Sequence, residues 1–257
     1  MAFAKVEAGN GIGWLREAIG LVFRNPAAFL VMGLIVAVIN FVPLLGGLVL
    51  TVCGPALLGG IVYAAREETA GAKAEVGQLF RAFQDNGKIG PMLLLCLPSI
   101  AGGAILLVCG LVFGIGALIS GGVSAANGGA FSWGALGGGM IVLCTIALVL
   151  AFVIYALQFF AVPRVMLDGV EPFAAMKESF NACLANLGAF LLFGIVLFAG
   201  FVVLGIVLAF IPLLGWIALV ALMTVVFGCA EYLAYREVFG EAAAQMPPPA
   251  PEAPPAA

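Results

Sequence analysis

From Ile12 to Glu67 the chain reads IGWLREAIGLVFRNPAAFLVMGLIVAVINFVPLLGGLVLTVCGPALLGGIVYAARE, and from Phe173 to Glu237 it runs through a similar succession of residue types. Leu15-Arg16-Glu17-Ala18 aligns with Met176-Lys177-Glu178-Ser179, Asn25 with Asn186, Ala28-Phe29-Leu30 with Ala189-Phe190-Leu191, and Gly33 with Gly194, all without a gap. Past an extra eight residues in the second stretch, Val42-Pro43-Leu44-Leu45-Gly46 meets Ile211-Pro212-Leu213-Leu214-Gly215, and Tyr63 through Glu67 meets Tyr232 through Glu237. The matched Glu, Asn, Pro and Arg are rare in so apolar a chain, so their preserved order predicts an internal repeat over about 12–67 and 173–237.

Composition decides the solvent. Of 257 residues, 64% are hydrophobic and 9% charged, far from the roughly 25% charge of soluble domains. Charges are absent for 75 residues between Lys88 and Arg164, for 52 between Glu178 and Glu231, and for 41 between Arg24 and Arg66. One bilayer crossing takes about 20 apolar residues, so each run accommodates a pair of helices. The reading is an all-α, polytopic integral membrane protein: six transmembrane helices at about 26–42, 46–65, 91–119, 138–162, 187–209 and 213–235, arranged as three hairpins in one domain, 1–245. Residues 246–257, rich in Pro and Ala, read as a disordered tail. The middle hairpin matches the outer two too weakly to count as a third repeat.

Local signals mark the joints. In residues 12–25, Ile12, Leu15, Ile19, Val22 and Phe23 fall on one side at helical spacing, opposite Arg16, Glu17 and Arg24. Residues 173–186 keep that pattern with Phe173, Met176, Phe180, Cys183 and Leu184. Both stretches are too charged to cross, so they are expected to lie along the membrane surface, with Trp14 at interfacial depth. Asn25-Pro26 forms an elbow, and Pro43 to Gly47 a turn. The uncharged stretch Ser120–Gly139, with eight glycines, reads either as an outer loop or as a piece dipping back into the membrane. All ten Lys and Arg fall before, between or after the three hairpins and none at their tips, which predicts cytoplasmic termini.

Few residues are equipped for chemistry. With no His, the usual proton shuttle and the commonest metal ligand are missing. The six cysteines are scattered without C-x-x-C spacing and read as small core residues. The net charge of −3 and the lack of a basic tract argue against nucleic acid. The start lacks the layout of a cleaved leader, so Met1 is expected to begin the mature chain. Three polar residues stand in apolar surroundings, where each must find a partner: Asn40, Gln158 and Glu231. Asn40 and Gln158 suit interhelical hydrogen bonds or relief of unwound backbone, or else a substrate contact. Glu231 suits a proton or cation site, or a pair with Arg236 about one turn away.

Gly13-Trp14-Leu15-Arg16 before Phe23-Arg24-Asn25-Pro26, the Pro-Leu-Leu-Gly turns, and Phe160-Ala161-Val162-Pro163 through Asp168 to Ala175, Ser179 and Asn186 resemble a group of bacterial inner-membrane proteins of unknown function. More distantly, the plan is similar to the membrane domain that precedes some glycerophosphodiester phosphodiesterases, whose catalytic domain has no counterpart here. The resemblance implies an inner-membrane address and a six-helix body. The expectation is a structural, scaffolding or membrane-sensing protein, not an enzyme, with no catalytic residue, cofactor or metal. Its expected partners are membrane lipids and a protein partner or second copy, and the alternative is a small-molecule or lipid transporter with its site between the repeats.

Overall fold

The computed structural model describes residues 3–126, 133–211 and 213–240. The tail expected over 246–257 lies outside the described residues. Among these residues there are helices and no strands: α1 (Asn10–Arg24), α2 (Pro26–Asn40), α3 (Leu45–Thr69), a 3-10 turn (Val76–Phe80), α4 (Arg81–Gln84), α5 (Ile89–Leu94), α6 (Leu97–Ala126), α7 (Trp133–Gln158), α8 (Ala161–Asp168), α9 (Pro172–Ala185), α10 (Leu187–Leu208), α11 (Leu214–Tyr235) and a final π turn. Five stretches are long and apolar enough to cross a membrane: Leu45–Thr69, Ile89–Ser120, Gly138–Asp168, Leu187–Leu208 and Leu214–Gly240. A sixth candidate is α1 with α2, two helices bent by 106° at Asn25. The chain is therefore an all-helical membrane protein with five or six such helices.

Their boundaries follow from backbone chemistry. Pro26 opens α2 where a missing N–H costs nothing, and the Asn25 side chain caps that helix by accepting from the Ala28 N–H at 3.4 Å. Pro172 opens α9 in the same way, with the Glu171 carboxylate accepting from the Phe173 and Ala174 N–H groups. Gly169, at φ 68°, ends α8. The 15 residues of α2 rise only about 22 Å, less than the roughly 30 Å of a hydrocarbon core, and the helix ends two residues before the expected 26–42.

Two turns share an unusual geometry. Leu44 has φ 63° and ψ −48°, and the Leu45 N–H donates to the Pro43 carbonyl at 2.7 Å, a tight γ-turn. Leu213 has φ 64° and ψ −60°. The glycine two residues on fits against a carbonyl in both places. A Cβ on Gly46 would stand 2.1 Å from the Ile39 oxygen, and one on Gly215 would stand 2.1 Å from the Leu208 oxygen.

Helices α3 and α11 form the interior, while α6, α7 and α10 turn most of their large apolar side chains outward, Leu107, Ile141 and Ile195 among them. Such a surface belongs in lipid. Helix α2 lies along α11, and α1 crosses α10 and α11. The third side of α11 meets α3.

One expectation needs correction, and the packing of α1 adds two details. The glycine-rich stretch Ser120–Gly139 is mostly helix, because α6 runs to Ala126 and α7 resumes at Trp133; only 127–132 lie outside the described residues. A helix pairs its own backbone groups, which favours it in so apolar a stretch even through residues of poor helical propensity. Trp14 is buried within the protein: its indole N–H donates to Glu237 at 2.5 Å and its ring meets Phe193 edge-on. The buried stripe of α1 is Gly11, Trp14, Leu15, Ala18, Leu21 and Val22, leaving Ile12, Ile19 and Phe23 exposed.

Candidate functional site

A cavity of about 800 Å³ opens among α2, α3, α7, α10 and α11. Asn40, Gln158 and Glu231, far apart in sequence, all line it. Its wall on α3 runs from Gly47 to Leu58, about 16 Å of helix rise. Asn40 and Gly47, by the chain turn, are exposed, whereas Glu231, Phe159 and Val162 at the other end are buried. The cavity is thus closed below and open by the turns. It also has a side opening, because α10 does not pack along α3 and the lining residue Phe198 is exposed.

The matched glycines explain the space. On α2, Gly33 touches α11 so closely that a Cβ would lie 2.2 Å from the Ala221 oxygen. At the aligned position of α10, Gly194 lines the cavity and has nothing within 4 Å of where a Cβ would be. One glycine closes a helix crossing and the other faces empty volume.

The three polar residues differ in state. The Gln158 amide donates to the Leu95 carbonyl at 2.6 Å and to Ser99 Oγ at 3.0 Å. Leu95 sits in the break between α5 and α6, so this side chain serves unwound backbone. Asn40 stands at the mouth. Glu231 is fully buried, and neither carboxyl oxygen has a hydrogen-bond partner among the described residues. The expected pair with Arg236 does not form, since Arg236 reaches Glu17 instead, at 3.5 Å. Five residues of helix turn the chain by about 140° beyond a full revolution, so positions five apart point away from each other.

Sequence reasoning passed over other parts of the wall. The Tyr155 hydroxyl is buried with no partner among the described residues, and its ring packs with those of Phe159, Phe190 and Phe227 at 4.6–5.8 Å. Helix-bound Thr51 and Thr224 spend their hydroxyls on carbonyls four residues back. Pro55, inside α3, has no N–H to offer the Thr51 carbonyl, and both residues line the cavity. The signal available in sequence was a proline within an apolar helix opposite an aromatic cluster.

Charges collect outside the cavity. Buried Arg164 pairs with Asp168 and, at 2.9 Å, with Glu178, and lies 5.1 Å from the Phe239 ring. Tyr235 donates to Asp168 at 2.7 Å, and Lys88 donates to the Met166 carbonyl at 2.9 Å. Ser179 bridges the α7–α8 break by donating to the Ala156 carbonyl and accepting from the Phe160 N–H. All six cysteines are free; Cys96, Cys183 and Cys229 are core residues, while Cys144 is exposed, contrary to the expectation for all six. Burial pushes the Cys183 thiol up, away from its reactive form. Among the described residues no three His, Cys, Asp or Glu side chains converge as a metal site would need.

No protein-family model matches the chain. No solved structure matches it either. It is similar to a Burkholderia thailandensis protein described as a probable inner membrane protein, with 28% identity over 263 aligned positions that span 93% of this chain and 94% of that one. The likeness to the membrane domain of glycerophosphodiester phosphodiesterases finds no support in these comparisons.

Proposed function

We propose that this protein crosses a bacterial inner membrane six times as three hairpins, with both termini cytoplasmic. We also propose that it binds a small amphiphilic molecule in the cavity between its first and last hairpins, as a carrier or lipid-handling protein. The address is supported by the Burkholderia relative's name and the orientation by the placement of Lys and Arg. The parallel repeat is supported by the paired turns at Leu44 and Leu213.

One observation favours binding over the scaffolding role expected first. A fully buried carboxyl with no hydrogen-bond partner among the described residues lies at the closed end of a mostly apolar cavity. A scaffold gains nothing from it, because an unpaired buried polar group weakens the fold. A binding site uses such a group to orient what enters. No chemistry on the ligand is proposed, and a second copy or protein partner is not required.

The test is to purify the protein from inner membranes and identify retained molecules by native mass spectrometry, beside the cavity-filling variants Gly54→Leu and Gly194→Leu. Both positions have open space where the new side chain would go. The reading expects a molecule held by the wild type and lost from both variants. Identical spectra from all three would overturn it.

A further inference from the structure

The chemical class of the occupant follows from the closed end of the cavity, given the binding role proposed above. The walls carry no Lys or Arg, so an anionic group would enter beside Glu231 with nothing to balance its charge. A bare metal cation needs several oxygen ligands held together, and a single carboxyl does not supply them. A neutral hydrocarbon would offer the Glu231 oxygens no hydrogen-bond partner, and they have none among the described residues. An organic cation answers the carboxyl, and the rings beside it suit the same guest. Tyr155, Phe159 and Phe227 line the cavity together, and aromatic rings attract ammonium groups, most strongly where water is excluded.

We infer that the cavity takes the ammonium group of an amphiphilic amine at its closed end, drawn by the Glu231 carboxyl and the rings of Tyr155, Phe159 and Phe227, side chains that part to admit it because Glu231 and Phe159 are fully buried. Its hydrocarbon part runs toward Asn40 and Gly47 or leaves between α3 and α10. The titratable groups facing this end are Tyr155 on α7 and Cys183 on α9, neither of which brings a competing positive charge. The nearest cations of the chain are engaged elsewhere: Arg164 with Asp168 and Glu178, and Arg236 with Glu17. A lipid headgroup and a free amphiphilic amine present the same ammonium chemistry.

The probe is radiolabelled benzyltrimethylammonium, bound to the full chain in nanodiscs of phosphatidylglycerol, with neopentylbenzene as its uncharged carbon isostere. Saturable binding of the cation is expected, with competition by the isostere at least tenfold weaker. Glu231→Gln should weaken cation binding tenfold or more, and Glu231→Asp should recover part of the loss. Phe227→Leu should weaken the cation severalfold more than the isostere. Adding phosphatidylethanolamine to the discs separates the sources: competition points to a headgroup, its lack to a free amine, and either supports the class. If Glu231→Gln binds the cation as well as wild type does, or if the isostere binds equally, the cation assignment falls while the cavity stands. If Gly54→Leu and Gly194→Leu leave binding of both probes unchanged, the cavity reading itself has failed.

Discussion

Gly33 and Ala221 meet backbone to backbone, with 2.2 Å between the Ala221 carbonyl oxygen and the place where a Cβ on Gly33 would be. This contact lets α2 lie along α11 beside the cavity. Small residues have this role in membrane helices, where close packing replaces the hydrophobic drive of water.

The two aligned glycines should therefore respond oppositely to one methyl group. Gly33→Ala overpacks the seam and is expected to cost roughly 1–3 kcal/mol. Gly194→Ala has room for the methyl and gains helix propensity, so it should be neutral or stabilising by up to about 1 kcal/mol. Thermal unfolding of both variants in one detergent checks this, and equal losses would mean that α10 also makes a close crossing.

Strain at the turns gives a second contrast. Leu44 holds positive φ with its side chain exposed, so its conformation costs energy that its packing does not return. Leu44→Gly should raise stability by about 1 kcal/mol, because glycine accepts that backbone freely. Gly46→Ala should lower it by several times that amount, the Ile39 oxygen standing where the methyl would go. The same two changes at Leu213 and Gly215 should reproduce the pattern. A different outcome at the second turn, measured by the shift in melting temperature, would separate the two units.

Removing the Gln158 side-chain amide should expose a backbone fault. Gln158→Leu leaves the Leu95 carbonyl and Ser99 without this donor in apolar surroundings, at a cost of about 1–3 kcal/mol. Ser99→Ala should cost less, because Leu95 keeps its bond. Hydrogen exchange should locate the loss at the α5–α6 break and leave α10 unchanged.

What was legible in the sequence was whatever depends on solvent. Uncharged runs predict the apolar helices, and Asn25-Pro26 marks a helix joint because its effect is local to the backbone. What depends on rotation about a helix axis was not legible. Nothing beside Trp14 in the sequence points to Glu237, more than 200 residues away, which accepts from its indole N–H. Glu231 and Arg236 look like partners in a string of letters, but the helix points them apart. The cavity arises from a contact that α10 does not make, and one copy's sequence gives no sign of a contact missing in the other.

Orientation is open to a direct test. Reporter fusions at Leu45, Asn127 and Leu213 should all report from the periplasm, and one at Ala70 from the cytoplasm. Lys88 to Met166, Arg164 to Glu178, and Arg236 to Glu17 are contacts that already join the charged segments to one another, as a common side requires. A cytoplasmic signal from any of the three turns would break the six-crossing scheme.

The last prediction concerns stability against function at Glu231. Its carboxyl is enclosed with no donor, and filling such a place with an apolar side chain of similar length removes an unmet polar group while keeping the packing. Glu231→Met should therefore stabilise the protein, by roughly 1–3 kcal/mol. Residues that weaken a fold are kept where they act, so the same variant should lose ammonium binding while Glu231→Gln loses it without the full gain in stability. Melting temperature and probe binding measured on one preparation test both halves. A Glu231→Met protein less stable than wild type would show that the carboxyl has a partner in the folded membrane protein, and the argument that it waits for a ligand would then be wrong.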